Sequence, residues 1–105
     1  MMNLGKMMKK AKEMQENMQG LQEELAKIEV QGESGGGMVK VTMSGDRQVK
    51  KITIEDELWA DQDKGLIEDL VAAAINAASQ VAESKAKEEQ QKLMSGLPLP
   101  PGFSL

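Results

Sequence analysis

The sequence contains no cysteine and no histidine. Without cysteine there is no disulfide and no thiolate metal site. Without histidine the commonest general base and the commonest metal ligand are both missing. Aromatic residues are nearly absent, with one Trp, one Phe and no Tyr in 105 residues. That argues against the stacking platforms on which single-stranded nucleic acids are held. Arg47 is the sole arginine, which argues against extensive bidentate reading of guanine edges. No apolar run approaches the ~20 residues of a membrane span. The opening MMNLGKMMKK lacks the apolar core and cleavage site of a secretory signal. No membrane partner is expected, and the expected compartment is the cytoplasm.

Catalytic and cofactor motifs are equally scarce. Gly35-Gly36-Gly37 is followed by a strand pattern and by no Lys-Ser/Thr pair, so it reads as a turn and not as a phosphate cradle. The acidic run Glu55–Asp63 lacks the alternating ligands and central glycine of a calcium loop. No nucleophile–base pair follows from spacing. The expectation is a protein that is not an enzyme, with no cofactor, no metal and no small-molecule substrate.

What is present is organised around Val30–Gly45. The apolar period there is two, with Val39, Val41 and Met43 pointing one way and Lys40, Thr42 and Ser44 the other. The glycine-rich Gly32–Gly37 reads as the turn before it. Strands are expected at about 28–33, 38–44 and 48–54, with a hairpin at Gly45-Asp46. Val49 is out of phase with Ile52, which points to a bulge or to an exposed Val49.

Long helices flank this sheet. From about Asn3 to Ile28, Leu4, Met7, Ala11, Met14, Met18, Leu21, Leu25 and Ile28 recur in steps of 3 and 4, an unbroken heptad seam. Such a helix is longer than a small sheet can cover, so part of it should project. Trp59 is expected to anchor a short turn against the sheet. A second long helix should begin near Asp63, with a broad apolar face over Leu66–Val81 and small residues throughout VAAAINAA. After Val81 the helix is polar all round, with expected pairs Glu83–Lys87, Lys85–Glu89 and Glu88–Lys92. The fold class is therefore α+β: a three-stranded antiparallel sheet with long N- and C-terminal helices, one domain over 1–105, with 95–105 as an extended or flexible tail. So little bulk in so thin a subunit points to an obligate oligomer.

The formal net charge is −4, but the charge is segregated. Residues 1–12 carry Lys6, Lys9, Lys10 and Lys12 and no acid, whereas 55–69 carry seven acids against Lys64 alone.

MMKKAKEMQENMQGLQEEL, then VQGESGGGMVKVTMSGDRQVKKITIEDEL, then LIEDLVAAAINAASQVAES and the final LPLPPGF stand in this order. Together they resemble the YbaB/EbfC family of bacterial nucleoid-associated proteins, over nearly the whole chain. The resemblance implies an α-β-β-β-α subunit and a tweezer-like homodimer whose helices project from a joint sheet core. It also implies double-stranded DNA as partner, a place in the nucleoid, and binding without catalysis. It carries over the role of the helices, not individual contacts. The DNA-binding candidates are Lys6, Lys9, Lys10 and Lys12 on the first helix and Lys40, Arg47, Lys50 and Lys51 on or beside the strands. Lys85, Lys87 and Lys92 are read first as intrahelical partners. Contacts should fall mainly on phosphate, with little sequence specificity. Candidates for the dimer interface are Val39, Val41, Met43, Leu70, Val71, Ala74 and Ala78. The alternative is a coiled-coil interaction or chaperone-like protein gripping a protein partner between Met-rich helices.

Overall fold

The structure is a computed structural model that describes residues 3–95. Its elements are α1 (Leu4–Lys27), β1 (Glu29–Ser34), β2 (Val39–Ser44), β3 (Val49–Ile54), α2 (Asp56–Ala60) and α3 (Lys64–Ser95). The strands form one antiparallel sheet in the order β1-β2-β3. The α-β-β-β-α plan is as expected, with the short α2 added. Residues 96–105, where the extended tail is expected, lie outside the described residues. No helix among the described residues is long and apolar enough to cross a membrane.

Each long helix begins where a side chain can satisfy its free N–H groups. The Asn3 side chain accepts from Gly5 N–H at 2.9 Å, and Asp63 Oδ1 accepts from Leu66 N–H at 3.1 Å. The β1–β2 turn spans residues 35–38, and its Gly35, Gly36 and Gly37 have φ values of 61°, 68° and 94°, in the left-handed region that favours glycine. Gly32, expected in that turn, belongs to β1 and pairs with Val41. Its role is proximity. A Cβ there would stand 2.2 Å from Ala78 N and 2.6 Å from Ala74 O. The α3 backbone thus rests directly on β1.

The core lies under this contact. Val39, Val41, Met43, Ala74, Ala78 and Ala82 are almost fully enclosed within one chain. The expectation that Val39, Val41, Met43, Ala74 and Ala78 offer a dimer interface is therefore corrected. Their side chains are already covered, because α3 lies across β1 and β2 and fills that face. Leu70 and Val71 are half-buried at the margin of the same core. Leu58, and not Trp59, anchors α2. Leu58 is buried, while Trp59, turned ~100° from it around the helix, is 65% exposed.

The α3 helix does not extend over β3. Register pairs Val39 with Ile54 and Val41 with Ile52, so the apolar column of the core continues onto β3. Val49 and Ile52 are nevertheless 44% and 41% exposed. The register shifts between Thr42 and Met43, which leaves Lys50 as the extra residue of a bulge. Both readings of Val49, bulge and exposure, hold together.

The β2–β3 loop ties α1 to the sheet. Gly45 N–H donates to the Ile28 carbonyl at 2.9 Å, and a Cβ on Gly45 would stand 2.7 Å from Leu25 O. Leu25 is buried there, a contribution of about 2 kcal/mol. Ser44, expected on the wet face, is also buried. Its hydroxyl binds Asp46 and accepts from Gln48 N–H at 3.1 Å, so it holds the loop closed.

Two glycine substitutions should part in sign. Gly32→Ala should destabilise by about 3 kcal/mol or more, because backbone and not a movable side chain blocks the methyl. Gly20→Ala, with nothing within 4 Å of its Cβ position, should stabilise α1 by up to about 1 kcal/mol. Thermal unfolding checks both, with a drop of roughly 10 °C or more expected for the first.

Candidate nucleic-acid interface

The four N-terminal lysines are brought onto one surface. At 100° per residue, Leu4, Met7, Ala11, Met14 and Met18 define one side of α1, and Lys6, Lys9, Lys10 and Lys12 fan across the other. All four lysines are exposed, and none has an acidic partner within ion-pair distance among the described residues. The first turn of α1 contains no acid. Of these cations only Lys6 stands in the first turn, where a positive charge meets the positive end of the helix dipole at a cost of up to about 1 kcal/mol.

The strand candidates form a different surface. Lys40 and Lys51 lie on the outer face of the sheet, in register with Thr53 and Thr42 respectively. Glu33 pairs with Lys40 across β1, so acids interleave with bases on that face. Lys50 sits in the bulge. Arg47 occupies the β2–β3 loop at φ 68°, an uncommon conformation for a residue with a side chain. Its guanidinium lies 3.4 Å from Glu83 of α3, with both groups about half exposed. Such a pair is worth at most about 1 kcal/mol. The structure thus gathers Lys6, Lys9, Lys10 and Lys12 and separates them from Lys40, Arg47, Lys50 and Lys51.

The lysines of α3 are paired within their own helix, as spacing required. Lys87 stands 3.4 Å from Glu83, Lys85 3.6 Å from Glu89 and Lys92 3.5 Å from Glu88. Glu89, with Glu88 after it, holds the exposed Lys92 ammonium above its ordinary pKa. The acidic stretch Glu55–Asp69 covers α2 and the start of α3. A groove between the distal part of α3 and α1 is lined by Leu93, Glu89, Gly20 and Leu21. The α3 helix therefore runs, over about 48 Å, from the acidic end of the molecule towards the arm that carries the α1 lysines. The described chain measures 71 × 24 × 19 Å.

One surface is not evident from the sequence: the exposed pair Val49 and Ile52 on β3, beside the half-buried Ile54. Its period-two pattern is legible, but the width of the sheet that α3 covers is a tertiary fact.

Substituting Lys6, Lys9 and Lys10 together by Glu should leave α1 intact or slightly more stable, because acids suit a helix N-terminus and Glu forms helix as well as Lys. Circular dichroism with thermal unfolding checks this; a loss of helix content would contradict it.

A family model described as the YbaB/EbfC DNA-binding family matches residues 1–97. Among solved structures, the crystal structure of uncharacterized protein HP0035 from Helicobacter pylori is similar. Its TM-score is 0.77 at 22% identity, covering 90% of this chain and 99% of that one. At that identity the likeness establishes the fold.

Proposed function

This chain belongs to the YbaB/EbfC DNA-binding family, and from that membership we propose that it is a nucleoid-associated homodimer holding duplex DNA mainly through phosphate contacts. The observation that carries the phosphate reading is the unpaired cluster Lys6, Lys9, Lys10 and Lys12. Its first member, Lys6, stands in the first turn of α1 against the helix dipole, so it costs stability where an acid would add it. A patch of this kind neutralises phosphates and releases counterions, and it carries no base information. The acidic α2 end would repel DNA, so the charge distribution would also orient the encounter. The function requires no catalysis.

The homodimer reading draws support from β3. Its Val49 and Ile52 are exposed, it is an edge strand of the sheet, and its outer backbone groups have no strand partner among the described residues. A second copy laid against β3 would cover the column and double the lysine arms. The open Met seam of α1 is what favours the protein-gripping alternative; steep salt dependence belongs to the DNA reading alone.

Two measurements test the proposal. The Lys6, Lys9, Lys10→Glu variant should bind unrelated duplexes more weakly by a similar factor. Its slope of log affinity against log salt should be shallower by about 0.9 for each phosphate that the variant no longer neutralises. Mobility shifts over a salt series read both, and unchanged affinity and slope would remove the α1 lysines from the interface. Separately, Ile52→Asp should convert the dimer, by light scattering, to a folded species of 11.4 kDa. If its mass stays that of the unmodified dimer, the interface lies elsewhere.

A further inference from the structure

A groove of about 420 Å³ opens between α2 and the start of α3, lined by Trp59, Gln62, Lys64, Ile67 and Glu68. Its apolar wall is Trp59, 65% exposed, with the half-buried Ile67. Covering an indole that stands so far in water would be favourable. Acids stand on both walls. Glu55 and Asp56 precede Trp59 by four and three residues, the spacing that places them on its side of α2. Asp63 precedes Ile67 by four, and Glu68 lines the groove itself. Lys64, the only cation of residues 55–69, lies 3.9 Å from Glu68. The groove therefore suits an occupant that is apolar along its centre and cationic along both edges.

The free end of α1 has that form. Leu4, Met7 and Met8 are 74%, 48% and 69% exposed. At 100° per residue they share one strip about 100° wide. Lys10 lies about 60° beyond its Met7 edge and Lys12 about 40° beyond its Met8 edge, while Lys6 and Lys9 point the opposite way. The arm of the same chain is out of reach. Leu25 abuts Gly45 near the sheet, and Leu93 of α3 lies beside Gly20 and Leu21. Leu4 thus stands beyond the far end of α3, whereas the groove stands at its beginning.

We propose that the α1 arm of a second copy occupies this groove. Leu4, Met7 and Met8 seat on Trp59 and Ile67, and Lys10 and Lys12 reach the acids of the two walls. Methionine adapts to an uneven surface, and its sulfur makes favourable contact with an aromatic ring. Lysine lays its alkyl stem on apolar surface and keeps its ammonium at the rim. The contact joins unlike ends of two chains, so a copy that donates its arm keeps its own groove open for another. It is separate from the contact at β3, and it needs no DNA.

Trp59 is the only tryptophan, so its fluorescence reads the groove directly. With full-length protein in buffer of low ionic strength and no DNA, the emission should move to shorter wavelength as concentration rises. Added salt should move the midpoint to higher concentration. Changing Lys10 and Lys12 to Gln should do the same, by about two- to fivefold for each lysine. Met7→Gln with Met8→Gln should abolish the shift at unchanged helix content, since Gln forms helix as well as Met. A Trp59→Ala protein, which keeps its arm and loses the reporter, should restore the shift when mixed with that Met variant. Ile52→Asp should leave the shift in place. An emission that ignores concentration would overturn the proposal, and so would a Met variant that keeps the shift or is not rescued by mixing. Loss of the shift in Ile52→Asp would assign the groove to the β3 contact and overturn it as well.

Discussion

The rest of the molecule depends on the backbone-to-backbone contact of α3 with β1 at Gly32. Because a Cβ at Gly32 would fall 2.2 Å from Ala78 N, helix and sheet lie closer than side chains on both sides would permit. The small residues Ala74, Ala78 and Ala82 are the other half of the same fit. Ser34 fastens the contact one register further along, its hydroxyl donating to the Leu70 carbonyl at 2.6 Å. Seated this tightly, α3 covers two strands and not three. The open β3, the enclosed β2 and the direction in which α3 leaves the sheet all follow from where this helix rests.

Electrostatics follows the same axis. A chain of net charge −4 would repel a polyanion if its charges were mixed evenly. Here the acids of Glu55–Asp69 are concentrated on α2 and the beginning of α3, the charges of distal α3 neutralise one another along the helix, and the cluster Lys6, Lys9, Lys10 and Lys12, without ion-pair partners among the described residues, lies on α1. A net charge says little when ends separated by tens of ångströms, several Debye lengths, carry opposite signs.

Most of the fold is legible in the residues. The period-two run Val39–Met43, the helix that carries the heptad seam and the i,i+4 charge pairs each depend on local geometry, and each is found as expected, although the seam itself is covered only at its Leu21–Leu25 end. The differences concern which of two neighbours faces inward and how far one element covers another. Size alone favours Trp59 as the anchor, but the phase of α2 turns Leu58 inward. Gly32 resembles part of a turn because it stands near other glycines, although its value lies in an approach from α3, more than 40 residues away in sequence. Val39, Val41 and Met43 suggest a dimer interface only if a thin subunit is unable to enclose them. The close seating of α3 encloses them, and the exposed apolar surface moves to Val49 and Ile52. The lysine cluster of α1 is visible because segregation of charge is a property of the sequence itself. The separation of Lys40 and Arg47 from it is set by tertiary packing, which no local pattern encodes.

The attachment of α1 at one end makes that helix a lever. Its fixed joint is Leu25 against the Gly45 loop, and Lys6 lies nineteen residues away, about 28 Å along the axis. A swing of only about 7° at the joint carries Lys6 through about 3.4 Å, the rise per phosphate of one strand along the axis of duplex DNA. Angular play too small to disturb the core is thus enough to shift the lysines by a substantial part of the distance between phosphates. Such an arm would follow a backbone whose groove width and curvature vary, with no need to rebuild the joint for each. A stiffer joint would hold the lysines to one spacing and make the protein selective for the DNA shapes that match it.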